Sequence, residues 1–287
     1  MTEPPRTEAD IAALPIWHGP VALAPLHGGL SNVSFVATDR SGRYVVRLTR
    51  DFPFHGVYRD REVGIARAAH AAGFAPEVVH AAPGLMVSRF LEARALTAED
   101  VRADIERIAA LLRRFHAEMP THTPAVDYAF DVFDVIRSYL RQLAGHADPT
   151  RLAQWARLND ALAAEHQAAQ PVFAHHDLLP GNLLDDGRRL WLIDFEYAGI
   201  GSPLFDLANL SSHAGFSTAL SDDLLTAYFG RRDAVPHRAH RAMEAASLLR
   251  EALWSLVSDI HIREREVDYV GYADRNFARL HEVLAAR

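Results

Sequence analysis

The sequence predicts an α+β fold with two lobes, in which a small N-terminal lobe carries an antiparallel sheet and one helix and a larger C-terminal lobe is mostly helical. Short β-branched and aromatic runs separated by turn residues fall within the first 90 positions. After Leu96 the apolar residues recur at the spacing of a buried helix face. We therefore predict an N-terminal domain over 1–90 and a C-terminal domain over 91–287.

The N-terminal lobe is divided by glycines into strands and one helix. Gly42 lies in a four-residue turn between two β-branched runs, which indicates a hairpin. Gly73 follows an alanine-rich stretch and is typical of a helix C-terminus. The predicted elements are a hairpin of strands 33–38 and 43–49, a helix over 59–72, and strands over 76–80 and 84–90.

The C-terminal lobe is predicted from helical periodicity interrupted once. Ile105, Ile108, Leu112 and Phe115 share one helix face, and the same pattern recurs further along the chain. Two further helices are predicted over 131–142 and 150–168, a non-helical stretch over 171–194, and more helix from there to the C-terminus.

Composition excludes several classes of function. The chain has 287 residues and a formal charge of −7, which argues against non-specific nucleic-acid binding. It has no cysteine, which excludes thiolate nucleophiles and Cys-ligated zinc, and its 30 basic residues are all arginine. A Walker-type phosphate loop and Schiff-base chemistry both need lysine and are excluded. Because no signal peptide or long apolar run is present, we expect a cytoplasmic protein without a membrane partner.

The non-helical stretch concentrates the polar side chains that can carry chemistry. Apolar runs at 183–184 and 190–193 flank a turn and predict a second hairpin. Such a hairpin brings Asn182 close to Asp194 across its open end, with Asp177 on the preceding loop. Carboxylate and amide oxygens of this kind suit Mg²⁺ shared with substrate phosphates.

The same residues resemble those of a known family. His175-x-Asp177-x4-Asn182, followed by Ile193-Asp194-Phe195, is similar to the catalytic loop and metal-binding aspartate of the protein-kinase-like phosphotransferases. The Asp-Phe-Glu-Tyr-Ala-Gly continuation resembles the choline/ethanolamine kinase family within the aminoglycoside phosphotransferase superfamily. The glycine loop at 28–32 precedes a strand, as a nucleotide-binding loop does in this family.

The resemblance implies a kinase-like fold, with ATP between the lobes and its adenine against the backbone near 88–91. The implied reaction is transfer of the γ-phosphoryl group to the hydroxyl of a small cationic amino alcohol, most simply choline or ethanolamine. Arg47 stands where protein kinases have lysine. In having arginine at this position, the chain resembles the choline kinases. The implied roles are Asp177 as the base, Asn182 and Asp194 as Mg²⁺ ligands, and Ser31, Asn32, Arg47 and Glu62 at the nucleotide.

The C-terminal region resembles the cation-binding end of choline kinases. Trp254 and Tyr272 match aromatic positions there, and Glu251 stands where eukaryotic members carry another tryptophan. An unbroken helix would separate Trp254 from Tyr272 by about 27 Å, so the helix must break if both bind one acceptor. The charged stretch 263–266 is the predicted break, with Asp268 as the N-cap of the next helix.

Several alternatives remain open from the sequence. Thiamine or an aminoglycoside could replace the amino alcohol as acceptor, because all are cationic hydroxyl compounds. A His/Asp metallohydrolase could use His175, His176, Asp177, Asp194 and His213, although adjacent histidines on an extended chain point to opposite faces. The chain could also be a non-catalytic, kinase-shaped binding module. Asp206 is expected to brace the catalytic loop, and His175 to order it, rather than to contact the substrate.

Overall fold

The structure is a computed structural model that describes residues 7–26, 33–123, 127–166, 170–231, 236–262 and 267–285. It divides into two compact units, Met1–Arg94 with Leu184–Glu196 and Ala95–Leu183 with Tyr197–Arg287. The first contains an antiparallel sheet and the second is mostly helical, so the predicted α+β class is confirmed. The domain boundary at residue 90 stays a prediction, and the return of 184–196 to the first unit was not anticipated from the sequence.

The first unit is organised around one antiparallel sheet. Its strands, in the spatial order β1-β2-β3-β5-β4, are β1 (Ala22–Leu26), β2 (Val33–Asp39), β3 (Gly42–Leu48), β4 (Val78–Ala82) and β5 (Leu85–Arg89). Asp39 pairs with Gly42 at the predicted hairpin turn, where φ of Gly42 is 147°. Alternate residues of β2, β3 and β5 form the apolar face, and Phe35, Val46 and Val87 are buried on it.

Two helices accompany this sheet, where one was predicted. α2 (Arg59–Ala71) is the predicted helix, and it buries Glu62 and Ile65. The additional helix, α1 (Glu8–Ala12), starts with a reciprocal capping box between Thr7 and Asp10. Its Ile11 is buried in the sheet core, so tertiary packing stabilises a helix too short to be stable alone.

The second predicted hairpin joins the first unit through backbone and ionic contacts. The short strands that follow in the chain are β6 (Arg94–Ala95) and β7 (Val172–Ala174), and the hairpin strands are β8 (Leu183–Asp185) and β9 (Leu190–Leu192). The amide of Leu192 donates to the carbonyl oxygen of Phe74, just beyond α2, at 2.8 Å. The chain after β9 then reaches the ionic side chains of β3 and α2.

The second unit is a helical assembly around one buried helix. Its elements are α3 (Ala98–Ala103), α4 (Ile105–His122), α5 (Val132–Gln142), α6 (Pro149–Glu165), β10 (Gly199–Gly201), α7 (Pro203–Ala214), α8 (Thr218–Phe229), α9 (His237–His261) and α10 (Tyr269–Ala285). β10 pairs antiparallel with β7. α9 packs against α5, α6, α7 and α10, which explains why it is buried on most sides.

The predicted break between the last two helices is present. α9 ends at His261 and α10 begins at Tyr269. The Asp268 carboxylate accepts the amide hydrogen of Gly271 at 2.9 Å, which confirms Asp268 as the N-cap. The stretch 263–266, where the break was predicted, lies outside the described residues. Within the part of the chain that the structure describes, no helix is both long and apolar enough to span a membrane.

Candidate active site

In the first unit, Arg47 links Glu62, which was predicted at the nucleotide, to Asp194, which was predicted as an Mg²⁺ ligand. Its Nη1 donates to Glu62 Oε1 at 2.7 Å, and its Nη2 donates to Asp194 Oδ1 at 3.0 Å. Burial alone would lower the pKa of Arg47, but the carboxylates of Asp194, Glu62 and Glu196 outweigh it and raise the pKa above its ordinary value. The guanidinium is therefore a fixed positive charge beside Asp194.

A second arginine, which sequence reasoning missed, extends this cluster. Arg59 Nη1 donates to Glu62 Oε2 at 2.6 Å and to Glu196 Oε2 at 2.8 Å. Glu62 therefore bridges two arginines with its two oxygens. Arg59 is the first residue of α2, and Glu196 belongs to the Asp-Phe-Glu motif. The motif was the available signal, but the sequence did not show which arginine pairs with it.

Asp194 has an unusual backbone for a residue with a side chain. Its φ is 69°, in the left-handed region that costs energy for most residues other than glycine. Its side chain is 29% exposed while one oxygen is held by Arg47. Strain of this kind is typical of a residue whose side-chain direction matters. Ser31 and Asn32, the other residues predicted at the nucleotide, lie outside the described residues.

In the second unit, Asp206 anchors the start of the predicted catalytic loop. Its carboxylate accepts the amide hydrogens of His175 and His176 at 2.8 and 2.7 Å, and His116 Nε2 lies 2.9 Å from it. Burial alone would raise the pKa of Asp206, but the hydrogen bond and charge of His116 outweigh it and lower the pKa to about 2. The predicted bracing role of Asp206 is confirmed.

His176 is a structural residue of this loop. Its ring stacks on Phe130 at 4.4 Å between ring centroids, and its Nδ1 lies 3.1 Å from the carbonyl oxygen of Tyr197. Burial lowers its pKa to about 4, so the ring is neutral at pH 7. Gly201 leaves room for it, because a Cβ there would collide with the Nε2 atom.

Asp177 follows this anchored pair and is fixed by the residues on either side of it. The amide of Leu178 donates to Asn209 Oδ1 at 2.6 Å, and Asn182 Nδ2 donates to the carbonyl oxygen of Asp177 at 2.8 Å. Asn209 in turn donates to the Ser247 hydroxyl at 3.0 Å. Side chains of two helices therefore hold the backbone on which the predicted base stands.

The side chain of Asp177 belongs to a set of residues that we call the acceptor cluster, whose other members are Arg250, Glu251, Trp254 and Tyr272. Arg250 Nη1 lies 3.2 Å from Asp177 Oδ1 and also donates to Glu251 Oε1. Tyr272 donates its hydroxyl hydrogen to Glu251 Oε2 at 3.1 Å, and the ring centroids of Trp254 and Tyr272 are 6.5 Å apart. The structure thus brings together the three predicted acceptor residues Glu251, Trp254 and Tyr272, and joins them to Asp177 through Arg250, which sequence reasoning missed.

Tyr197 contacts two members of the cluster. Its hydroxyl accepts a hydrogen bond from Trp254 Nε1 at 3.1 Å, which fixes the indole. The Arg250 guanidinium lies 4.3 Å from the centroid of the Tyr197 ring, a cation–π distance. The position of Tyr197 in the Asp-Phe-Glu-Tyr run was the only sequence signal for it.

A model of the phosphotransferase enzyme family matches residues 22–245. The chain belongs to this family. LicA from Haemophilus influenzae is 25% identical to this phosphotransferase over 248 residues, which is 80% of the chain and 70% of LicA.

Solved structures resemble the phosphotransferase over most of its length. A choline/ethanolamine kinase family protein from Mesorhizobium loti is 30% identical, with a TM-score of 0.77 over 96% of this chain and 92% of the other. The choline kinase LicA from Streptococcus pneumoniae shares the fold, with 20% identity, a TM-score of 0.76 and coverage of 93% and 94%. The predicted resemblance to the choline/ethanolamine kinases is confirmed.

The predicted magnesium ligands of this phosphotransferase have suitable donor atoms. Asn182 uses its amide nitrogen for the bond to Asp177, which directs its amide oxygen elsewhere. Asp194 presents a partly exposed carboxylate. Both are oxygen donors of the kind Mg²⁺ prefers, so each residue fits the ion. The metallohydrolase alternative is not supported, since the described residues contain no group of three or more His, Cys, Asp or Glu that could hold a metal ion. The imidazole of His176 is also stacked on Phe130 and lies 3.1 Å from the carbonyl oxygen of Tyr197.

Proposed function

We propose that the protein is an ATP-dependent kinase that transfers the γ-phosphoryl group of ATP to the hydroxyl of choline or ethanolamine. The observation that carries the proposal is the acceptor cluster. One helix, α9, supplies Glu251 and Trp254 beside an arginine that contacts the catalytic-loop Asp177. A carboxylate and aromatic rings suit an ammonium group, and the neighbouring carboxylate suits a hydroxyl proton.

The relatives support this acceptor class. The Mesorhizobium protein, similar over nearly the whole chain, is described as a member of the choline/ethanolamine kinase family. The Streptococcus LicA structure is described as a choline kinase. Since the second comparison shows the fold alone, the acceptor class rests on the first together with the cluster.

Asp177 orients the acceptor hydroxyl and accepts its proton as the oxygen bonds to the γ-phosphorus. The bond between that phosphorus and the β–γ bridging oxygen breaks, which leaves ADP and a phosphate monoester. Arg47, held by Glu62, binds oxygens of the α- and β-phosphates. Asp194 and Asn182 are proposed Mg²⁺ ligands, and the ion when bound neutralises charge on the phosphates. Ser31 and Asn32 are proposed to bind the nucleotide. Positioning and charge neutralisation supply most of the acceleration in this reaction class.

The test is an ADP-release screen of choline, ethanolamine, thiamine and kanamycin with Mg-ATP, with Asp177→Asn as the inactive control. We expect choline or ethanolamine to stimulate ADP release in the wild type and not in the variant. Stimulation by thiamine or kanamycin alone would replace the acceptor assignment with one of the other cationic alcohols. No stimulation by any of the four would favour the non-catalytic binding module. Metal-dependent phosphoester hydrolysis without ATP would favour the hydrolase.

A further inference from the structure

A buried arginine lies inside the acceptor cluster, and the described residues accept hydrogen bonds from only some of its donors. Arg250 is 1% exposed, and its Nη1 serves both Asp177 and Glu251. Its Nε and Nη2 atoms are also buried and have no hydrogen-bond acceptor among the described residues. A guanidinium with unused buried donors is a costly choice for a packing residue. This points to a role for its charge.

The buried charges of the cluster sum to −1. Asp177 and Glu251 carry one negative charge each, and Arg250 carries one positive charge. Burial alone would lower the pKa of Arg250, but Glu251, Tyr197 and Asp177 outweigh it and hold the pKa above its ordinary value. Among these three groups, the arginine therefore offsets one of the two negative charges.

The neighbouring titratable groups in the part of the chain that the structure describes leave this sum unchanged at pH 7. Burial lowers the pKa of His213 on α7 to about 4, so it is neutral. Glu251 and burial raise the pKa of Tyr272, and burial raises that of Tyr139 on α5, so both phenols stay protonated. On α10, Arg275 is exposed and Arg279 is half-buried, so water screens the charges of both.

We propose that Arg250 sets the charge of the acceptor cluster at −1 and thereby selects acceptors that carry a single positive charge; the inference rests on the proposed function. Choline and ethanolamine carry one charge, whereas kanamycin carries several ammonium groups. Arg250 also positions Asp177, because its guanidinium bonds the carboxylate of the base. Its loss leaves a cluster of charge −2 that attracts cations more strongly but holds the base less well.

The experiment is a charge cycle with three variants, in which Michaelis constants and calorimetric affinities for choline are measured at pH 7.5. Arg250→Met makes the cluster −2, Glu251→Gln makes it neutral, and the double variant returns it to −1. We expect the first change to lower the Michaelis constant for choline and the second to raise it, each by about fivefold or more. The double variant is expected to return within about twofold of the wild type. Turnover is expected to fall about tenfold in both variants that lack Arg250.

Two matched variants act as controls. Arg250→Lys retains the charge, and we expect its Michaelis constant to stay close to that of the wild type. Arg238→Met removes one charge from the same helix at a side chain that is 83% exposed, and it is expected to change neither the Michaelis constant for choline nor turnover.

Kanamycin is expected to inhibit Arg250→Met at least about fivefold more strongly than the wild type. Far-UV circular dichroism and melting establish that each variant is folded.

The outcomes separate the two proposals. If the wild type phosphorylates choline but Arg250→Met raises the Michaelis constant as Glu251→Gln does, the charge inference is wrong and the proposed function stands. A double variant weaker than both single variants would overturn the inference in the same way. If Arg250→Met does not fold, the lysine and double variants still decide the matter. If the wild type neither binds nor phosphorylates choline or ethanolamine, the proposed function fails and the inference fails with it.

Discussion

Replacing Asp206 by asparagine removes the anion that anchors the catalytic loop. The carboxylate accepts two consecutive backbone amides and is 2.9 Å from His116 Nε2. Asparagine has one oxygen, so one amide faces an NH₂ group and loses its partner. A buried donor left unsatisfied costs about 1–3 kcal/mol, and bonds to a charged acceptor are stronger than neutral ones, so we expect a loss of about 2–4 kcal/mol at pH 7.

The pH dependence gives an independent magnitude. The folded pKa of Asp206 is about 2 against an ordinary value of 3.8, a difference worth roughly 2 kcal/mol at pH 7. Because the folded pKa is the lower one, this stability is present above the ordinary pKa and is lost as pH falls toward the folded pKa. The stability difference between wild type and Asp206→Asn is therefore expected to shrink by roughly 1 kcal/mol from pH 5 to pH 3.

Urea unfolding at pH 7, 5 and 3 measures the stability loss and its pH dependence. The turnover number reports whether the loop still holds Asp177 in place. Turnover is expected to fall about tenfold to a hundredfold, since a small displacement of Asp177 misaligns the base. Asp160→Asn is the control, because that side chain is 74% exposed and is expected to change stability by less than about 0.5 kcal/mol. A difference for Asp206→Asn below about 1 kcal/mol at pH 7, or one that does not change with pH, would refute the anchoring argument.

Four further variants test individual roles. Asp177→Ala is expected to lower turnover by roughly a hundredfold or more while Mg-ATP still binds by calorimetry, and near-normal turnover would contradict its role as the base. Asp194→Ala is expected to weaken the binding of Mg-ATP itself, and an unchanged affinity would contradict its role as a metal ligand. Glu62→Gln removes the carboxylate that holds Arg47 and is expected to raise the Michaelis constant for ATP several-fold with little change in that for choline. Trp254→Ala is expected to raise the Michaelis constant for choline about tenfold or more, and no effect in a folded variant would make the indole a packing residue.

The catalytic loop and the hairpin after it were predictable because a contiguous motif encodes them. Asp177 and Asn182 lie five positions apart on one loop, and the turn of the hairpin that follows is marked by Asp and Gly residues. The Asp268 cap was predictable because capping depends on the residues of a single turn. Local chemistry of this kind is visible in a single chain.

The residues that were missed depend on contacts distant in sequence. Arg59 and Glu196 pair across 137 positions, and no periodicity signals such a partner. Arg250 was one of 30 arginines, and only the packing of α9 on most sides shows that it is buried. Helix α1 was missed because its five residues give too short a pattern, and the burial of Ile11 compensates for that.

The arginine pair that grips Glu62 has a consequence for chemical labelling of this enzyme. Reagents that acylate amines near bound nucleotide phosphates depend on a lysine, and the chain contains none. A guanidinium stays protonated across the pH range of a folded protein and does not react as an amine. Amine-directed activity probes would therefore pass over this kinase in a mixture of others. Dicarbonyl reagents directed at arginine would have to reach Arg47, whose side chain is 15% exposed and engaged by Glu62 and Asp194.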